Sequence, residues 1–254
     1  MDQKILIQLK NLSKSFADRK VLEGVNLDVY AGETLVIIGR SGVGKSTILK
    51  HIAGLLPADS GEVWVEGLEL SHLKEKGLNE LRKKMGVVFQ YAALFDSLTV
   101  FENVAFRLLR DFEMPHAKAL EVVRQKLELV GLKDDLLDLK PAQLSGGMRK
   151  RVGLARAIAV DPEIILYDEP TSGLDPVTSE AINDLILDMQ KKLGVTSVVV
   201  THDMHSAYRV ANRIAMIYDG KIIEIGTPEE IKRSTNPYIV QFVTGSVEGP
   251  MPVR

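Results

Sequence analysis

The stretch GRSGVGKS, from Gly39 to Ser46, narrows the choice of fold more than any other part of the chain. Glycines at Gly39, Gly42 and Gly44 open left-handed conformations and let a ligand approach the main chain closely. Ser41 and Val43 fill the positions between them. A loop of this kind turns its N–H groups inward as an anion-binding nest. Lys45 adds a cation for terminal phosphates, and Ser46 offers a hydroxyl to Mg²⁺ beside the positive end of the next helix. The flanks agree with this reading. ETLVIIG before the loop is an apolar, β-branched run that predicts a buried parallel strand, and STILKHIAGLL after it predicts a helix. A plain flexible glycine loop is the alternative, and the strand–loop–helix setting weighs against it.

The chain has 254 residues, enough for one large α/β domain or two small lobes. Hydrophobic residues make up 45% and charged residues 26%, the balance of a globular protein with a core. A net charge of −2 advertises neither nucleic acid nor an anionic membrane as a partner. The absence of cysteine excludes disulfides, thiol nucleophiles and Cys-based metal sites. No apolar run approaches the roughly 18–20 residues that cross a bilayer. The opening MDQKILIQLK lacks the apolar core and cleavage site of a signal peptide. Work at a membrane would therefore pass through partners.

Along the chain, ILIQLKNLSKSF and VNLDVYAGETLVIIG are strand-like, with turns at ADRK and YAGE. GEVWVEGLEL and KKMGVVFQ predict further strands. A helix starts at TVFENVAFRLL, where Thr99 and Glu102 have capping-box spacing. AKALEVVRQKLELVGL is amphipathic with a glycine stop. A later helix has Asp175 as N-cap, Pro176 at its first position and Gly194 at its stop. IAMIYDGKIIEIGT predicts a hairpin through Asp219–Gly220, TPEE caps a short helix, and GPMPVR is too proline-rich for regular structure. The pattern is an antiparallel β start, an α/β centre and a helical insertion near residues 95–160. The basic run KEKGLNELRKK has interleaved glutamates and predicts a solvated face.

Other stretches carry chemistry. IILYDEP brings a strand to its end at Asp168 and Glu169, where α/β sheets bind ligands. Neighbouring strand residues point to opposite sides, so Asp168 can serve Mg²⁺ while Glu169 orients or deprotonates a water. LSGGMRKR places Ser145, Gly146 and Gly147 at another helix start suited to an anion. One nucleotide does not need two such sites in one chain. Two chains related by two-fold symmetry, each completing its neighbour's site, resolve this. Gln90 can offer an amide oxygen to the metal or the water, or serve as a buried structural residue. His202, just past VVVTHD, can contact a γ-phosphate. His202 and His205 lack the further ligands a metal site would need. Phe16 either stacks on a base or belongs to the core.

These pieces, in this order, resemble the ATPase subunit of ABC transporters over nearly the whole chain. Gly39–Thr47 is similar to the family's Walker A loop, Gln90 to its Q-loop glutamine and Leu144–Met148 to its signature motif. Ile164–Glu169 is similar to Walker B with the catalytic glutamate, Ser172–Asp175 to the D-loop, His202 to the switch histidine and Phe16 to the adenine-stacking aromatic. The resemblance implies a P-loop NTPase fold of the ABC ATPase type, with a RecA-like α/β core, an antiparallel β subdomain and a helical subdomain. It implies one such domain over residues 1–245, with the helical subdomain at about 95–160. It also implies ATP and Mg²⁺ as ligands. The nucleotide would be held by Phe16, Gly39, Ser41, Gly42, Val43, Gly44, Lys45, Ser46 and Thr47, with Ser145, Gly146, Gly147 and Asp175. Mg²⁺ would be held by Ser46, Gln90 and Asp168, and catalysis would fall to Glu169, His202, Gln90 and Lys45. Two such chains, a homodimer, sandwich two ATP molecules in this family and move transmembrane permease subunits.

A closer resemblance is to the ATPases of Mla/Mce-type phospholipid transport systems. It rests on FQYAALFDSLTVFENVAF, LSGGMRKRVGLARAIA, LGVTSVVVTHD and the tail QFVTGSVEGPMPVR. It implies a permease docking near Gln90–Phe106, on aromatic and aliphatic residues such as Phe95, Leu98, Phe101 and Phe106 that otherwise belong to the helical core. It implies a lipid-binding Mce-domain subunit, a small accessory subunit and a peripheral place on the cytoplasmic face of a bacterial inner membrane. The tail 246–254, within an extension 236–254, would reach the partner ATPase, unless it is a frayed end. An importer of amino acids or other small solutes uses the same catalytic motifs and stays open. A nucleic-acid-associated switch or a P-loop kinase fits less well: the chain has one glycine loop, no sustained heptads, and an LSGG motif that a kinase leaves without a role.

Overall fold

The computed structural model describes residues 4–252. The first three residues and the last two, which end the expected 246–254 tail, lie outside the described residues. The chain divides into two compact units: residues 1–73 with 198–254, and residues 74–197.

The first unit begins with β1 (Ile5–Phe16) and β2 (Arg19–Tyr30), followed by β3 (Thr34–Ile38), α1 (Lys45–Ile52), β4 (Ser60–Val65) and β5 (Leu68–Glu69). β1 pairs antiparallel with both β2 and β4, giving the order β2-β1-β4-β5. Ile7, Leu9 and Leu12 of β1 face the core with Val25, Leu27 and Val29 of β2. Each fully buried branched side chain of this size contributes about 1.5–3 kcal/mol. All five residues of β3 are buried, the pattern of a strand covered on both faces.

The second unit holds α2 (Glu75–Lys83), β6 (Met85–Val88), α3 (Val100–Arg110), α4 (His116–Leu129), α5 (Gly146–Ile158), β7 (Ile164–Asp168) and α6 (Pro176–Leu193). β6 and β7 run parallel, Met85 opposite Ile164 and Val88 opposite Tyr167. A side chain at Gly86 would stand 2.5 Å from the Ala157 carbonyl, so glycine lets α5 lie close on β6. The capping box of α3 is complete: Thr99 Oγ1 accepts from the Glu102 N–H at 3.2 Å, and the Thr99 N–H donates to Glu102 at 2.7 Å. Buried Asn103 donates to the carbonyls of Phe95, Leu98 and Thr99, fastening the turn before α3 to its first helical turn. α2 is laced by Arg82–Glu75 and Lys83–Glu80 ion pairs on its exposed face, as a solvated basic stretch requires.

β8 (Thr196–Thr201) carries the chain back into the first unit, which finishes with α7 (Met204–Val210), β9 (Arg213–Tyr218), β10 (Lys221–Gly226), α8 (Pro228–Lys232) and α9 (Pro237–Thr244). β9 is parallel to β3, Leu35 opposite Arg213 through Ile38 opposite Met216. The β9–β10 hairpin turns at Asp219 and Gly220, both at positive φ (47° and 73°), the requirement of a tight two-residue turn that matches strand twist. After α9 the described residues form no helix or strand, yet they are ordered by specific contacts. The Gln241 amide accepts from the Met251 N–H at 2.7 Å and donates to the Met251 carbonyl at 3.0 Å. Gly249, at φ 151°, sits where a Cβ would come within 2.4 Å of Gln241. Arg40 Nη1 then donates to the Pro252 carbonyl at 2.6 Å. Among the described residues no helix is long and apolar enough to cross a membrane.

Candidate nucleotide site

In the first unit, β3 delivers the chain to Gly39, and the loop runs to the start of α1. All three glycines are at positive φ: 153° at Gly39, 110° at Gly44 and 75° at Gly42. The first two are also packed tight. A Cβ at Gly39 would lie 2.6 Å from the Ile217 carbonyl, and one at Gly44 would lie 2.9 Å from Leu22. Arg19 holds the crown of the loop through the Gly42 carbonyl at 3.2 Å. Lys45 is buried, and its ammonium donates to the carbonyls of Gly39 at 2.8 Å and Arg40 at 3.1 Å. The cation is thus fixed over its own loop, where phosphate oxygens are a better match for it than neutral carbonyls. Ser46 and Thr47 are half-buried in the first turn of α1.

Phe16 closes the β1–β2 hairpin opposite Arg19 and is 47% exposed, so it belongs to the surface and not to the core. Lys14 Nζ stands 5.8 Å from its ring centre. His202 follows β8 and is exposed. Its neighbour Asp203 caps α7, accepting from the N–H groups of His205 and Ser206 at 3.1 Å, so His205 is part of a helix start. In the same unit His51 is buried on α1, its Nδ1 2.8 Å from the Thr47 carbonyl. Burial pushes its pKa below the ordinary histidine value of 6.5.

In the second unit, Asp168 ends β7 and Glu169 follows at φ 48°, a left-handed conformation that costs a non-glycine residue free energy. Both carboxylates are half-buried. Gln90 Nε2 donates to Ser172 Oγ at 3.2 Å. That bond uses the amide nitrogen and not the oxygen a metal would take. Asp175 caps α6, accepting from the Val177 and Thr178 N–H groups at 3.0 Å and from the Thr178 hydroxyl at 2.5 Å. The hydroxyl bond leads in holding its carboxyl below the usual range. Ser145 Oγ caps α5 through the Met148 N–H at 3.2 Å. Ser145, Gly146, Gly147, Asp175 and Thr178 line one cleft of about 500 Å³. A Cβ at Gly147 would lie 2.8 Å from Thr178, so glycine keeps that cleft open.

The expected permease-docking residues divide. Phe101 is buried, with its ring 4.8 Å from that of His116, and belongs to the helical core. Phe95 is 45% and Tyr91 82% exposed, and Phe95 stacks on Phe106 at 4.7 Å with Arg110 over the latter ring. Lys150, within LSGGMRKR, is not among the expected site residues. It is buried on α5 and donates to the carbonyls of Gln90 and Glu169. A lysine on the buried flank of a helix is the one signal that points to it.

Residues 22–172 match the family described as ABC transporter. The chain is 40% identical to the intermembrane phospholipid transport system ATP-binding protein MlaF of Haemophilus influenzae, over 97% of this chain and 93% of that protein. It is 41% identical to the methionine import ATP-binding protein MetN of Carboxydothermus hydrogenoformans, over 97% of this chain and 74% of that one. Among solved structures, the dimeric structure of MJ0796, a bacterial ABC transporter cassette, superposes with a TM-score of 0.81 at 36% identity, covering 88% of this chain and 99% of that one. With its glycine loop, its β7 carboxylates and its Ser145–Gly147 helix start, the chain belongs to the ABC transporter family and has the fold and the ATP-hydrolysing function of that family's ATPase cassettes.

Proposed function

We propose that this ATPase powers the movement of phospholipid, or a related lipid, between membranes. The observation that carries the cargo is the 40% identity to the intermembrane phospholipid transport system ATP-binding protein, which runs over 97% of this chain and 93% of that protein. The identity to the methionine-import relative, 41%, is nearly equal. Import of an amino acid or another small solute is the second reading, and that near-equal identity keeps it in play.

In this reading Lys45 and the loop from Gly39 to Thr47 bind the phosphates of ATP, and Phe16 stacks on adenine. Ser46, Gln90 and Asp168 hold Mg²⁺, which would offset charge on the phosphate oxygens. Their hard oxygen donors suit that ion. Glu169 orients or deprotonates the attacking water and His202 contacts the γ-phosphate. A second copy of the chain presents Ser145, Gly146 and Gly147 to the nucleotide held by the first, which the open cleft at Gly147 and the dimeric form of MJ0796 support. Asp175, whose carboxylate is occupied as a helix cap, positions that interface. Residues 1–245 work as one ATPase domain, and the 236–254 extension borders the partner ATPase. Transmembrane permease subunits dock near Gln90–Phe106, on the exposed aromatics Tyr91 and Phe95 and the half-buried Phe106. A lipid-binding Mce-domain subunit and a small accessory subunit complete the assembly on the cytoplasmic face of a bacterial inner membrane, and nucleic acid is not a partner.

The test is to recover the tagged chain from detergent-solubilised native membranes and identify copurifying proteins and lipids by mass spectrometry. A small permease, an Mce-type subunit and bound phospholipid are expected. A solute permease with a soluble binding protein would overturn the lipid assignment and leave the ATPase chemistry in place.

A further inference from the structure

α5 does more than present Ser145, Gly146 and Gly147. One flank of the helix grips the segment that follows β6. Arg156 Nη1 and Nη2 donate to the carbonyls of Ala93 and Ala92, each at 2.7 Å. Both alanines are in left-handed conformations (φ 60° at Ala92, 47° at Ala93), which persist only where the surroundings over-determine them. A Cβ at Gly153 would stand 3.1 Å from that of Ala92, so glycine brings the helix against the segment. One turn earlier, Lys150 reaches the carbonyl of Gln90 and, at 3.3 Å, that of Glu169. Residues 150, 153 and 156 recur every three positions and therefore meet the segment on successive turns of α5.

We propose that Lys150 is a positioning residue that fixes Gln90 and Glu169 relative to each other and ties both to the helix carrying Ser145 and Gly147. This rests on the reading above, in which Gln90 and Glu169 act in hydrolysis. The side chains of those two residues leave from short connections, and Glu169 leaves from a strained backbone. A shared cation on their carbonyls sets both backbones at once. Buried ammonium groups are rare unless their hydrogen bonds are met. Here two carbonyls from two different connections meet them, and burial pushes the lysine below its ordinary range. Movement of the start of α5 would then be felt at Glu169 through one side chain.

The test uses the full chain with its copurifying membrane partners and compares Lys150→Met, Lys150→Gln and Glu169→Gln with the wild type. Lys150→Met keeps the apolar stem and removes the donors, whereas Lys150→Gln restores two N–H donors. Misplacing catalytic groups by about 1 Å costs on the order of 100-fold. The expected result is a fall in kcat of about tenfold or more in Lys150→Met, with KM and the equilibrium affinity for ATP within about twofold, and recovery of most of that loss in Lys150→Gln. An unchanged kcat in Lys150→Met, a parallel loss of ATP affinity, or a Lys150→Gln variant as slow as Lys150→Met would overturn the proposal. Glu169→Gln separates the two readings. If it turns over like the wild type, the site reading itself fails and takes this role for Lys150 with it; if it is inactive, the Lys150 variants judge the positioning role alone.

Discussion

Glu169 and Lys45 illustrate two ways in which one side chain carries chemistry. Glu169 has a carboxylate at the end of a buried strand, on a backbone conformation that costs of order 1–3 kcal/mol. Replacing it with glutamine keeps the shape and removes the base of the proposed mechanism. We expect turnover to fall by about 10²- to 10⁴-fold with ATP affinity retained, read by phosphate release and equilibrium nucleotide binding. In the proposed reading Lys45 acts on binding. Loss of a charge-assisted hydrogen bond of about 1.5–3 kcal/mol in Lys45→Ala weakens ATP binding by roughly ten- to a hundredfold, measurable by fluorescent-nucleotide titration. His51 gives the chain a pH dependence. Because the folded state holds its pKa below 6.5, the unfolded chain binds the extra proton. The stability it contributes is complete above pH 6.5 and is lost as pH falls below that value. The melting temperature should therefore drop between pH 7.5 and pH 5.5, and the drop should shrink in His51→Gln.

Helices α3, α5, α6, α7, α8 and α9 begin where a side chain satisfies the first N–H groups, whereas α1, α2 and α4 begin without one. Thr99, Asp175 and Thr227 are legible as caps in the sequence alone, because an oxygen side chain followed by glutamate or proline has one local meaning. Thr99→Ala should cost about 1 kcal/mol, seen as a melting shift of about 2–4 °C. Elements with weaker punctuation are harder to read. α9 starts with Asn236 as cap and Pro237 next, but its PYIVQFVT body is short and nearly all apolar, with no periodicity to separate a helix from a strand. α7 is seven residues long and hides behind the His202–His205 spacing, which draws attention to metal chemistry instead. The glycine loop is the opposite case. Its conformations are forced by Gly39 and Gly44, and neither tolerates a Cβ. Lys150 and Arg156 lie outside what sequence shows, because their partners are backbone carbonyls 60 and 64 residues away in the chain. A carbonyl acceptor leaves no mark in residue identity.

At the scale of the molecule, the order of the motifs is legible in sequence because each answers a separate chemical need. The burial of Phe101 and the exposure of Phe16 are not legible, since both are decided by what packs across from them. The proposed two-chain assembly is open to direct measurement. With hydrolysis blocked by Glu169→Gln, ATP should roughly double the mass seen by light scattering, and ADP should not. The clasp between Gln241 and Met251 has a practical bearing on all such work. It guides Pro252 to Arg40, inside the Gly39–Ser46 loop, so the Pro252 carbonyl is spoken for by the guanidinium. A purification handle or fluorescent protein fused behind Arg254 would be tethered two residues from that contact and would pull on the loop being assayed. The handle belongs ahead of β1, and a C-terminal fusion with altered ATP affinity would report on its own placement before it reported on the enzyme.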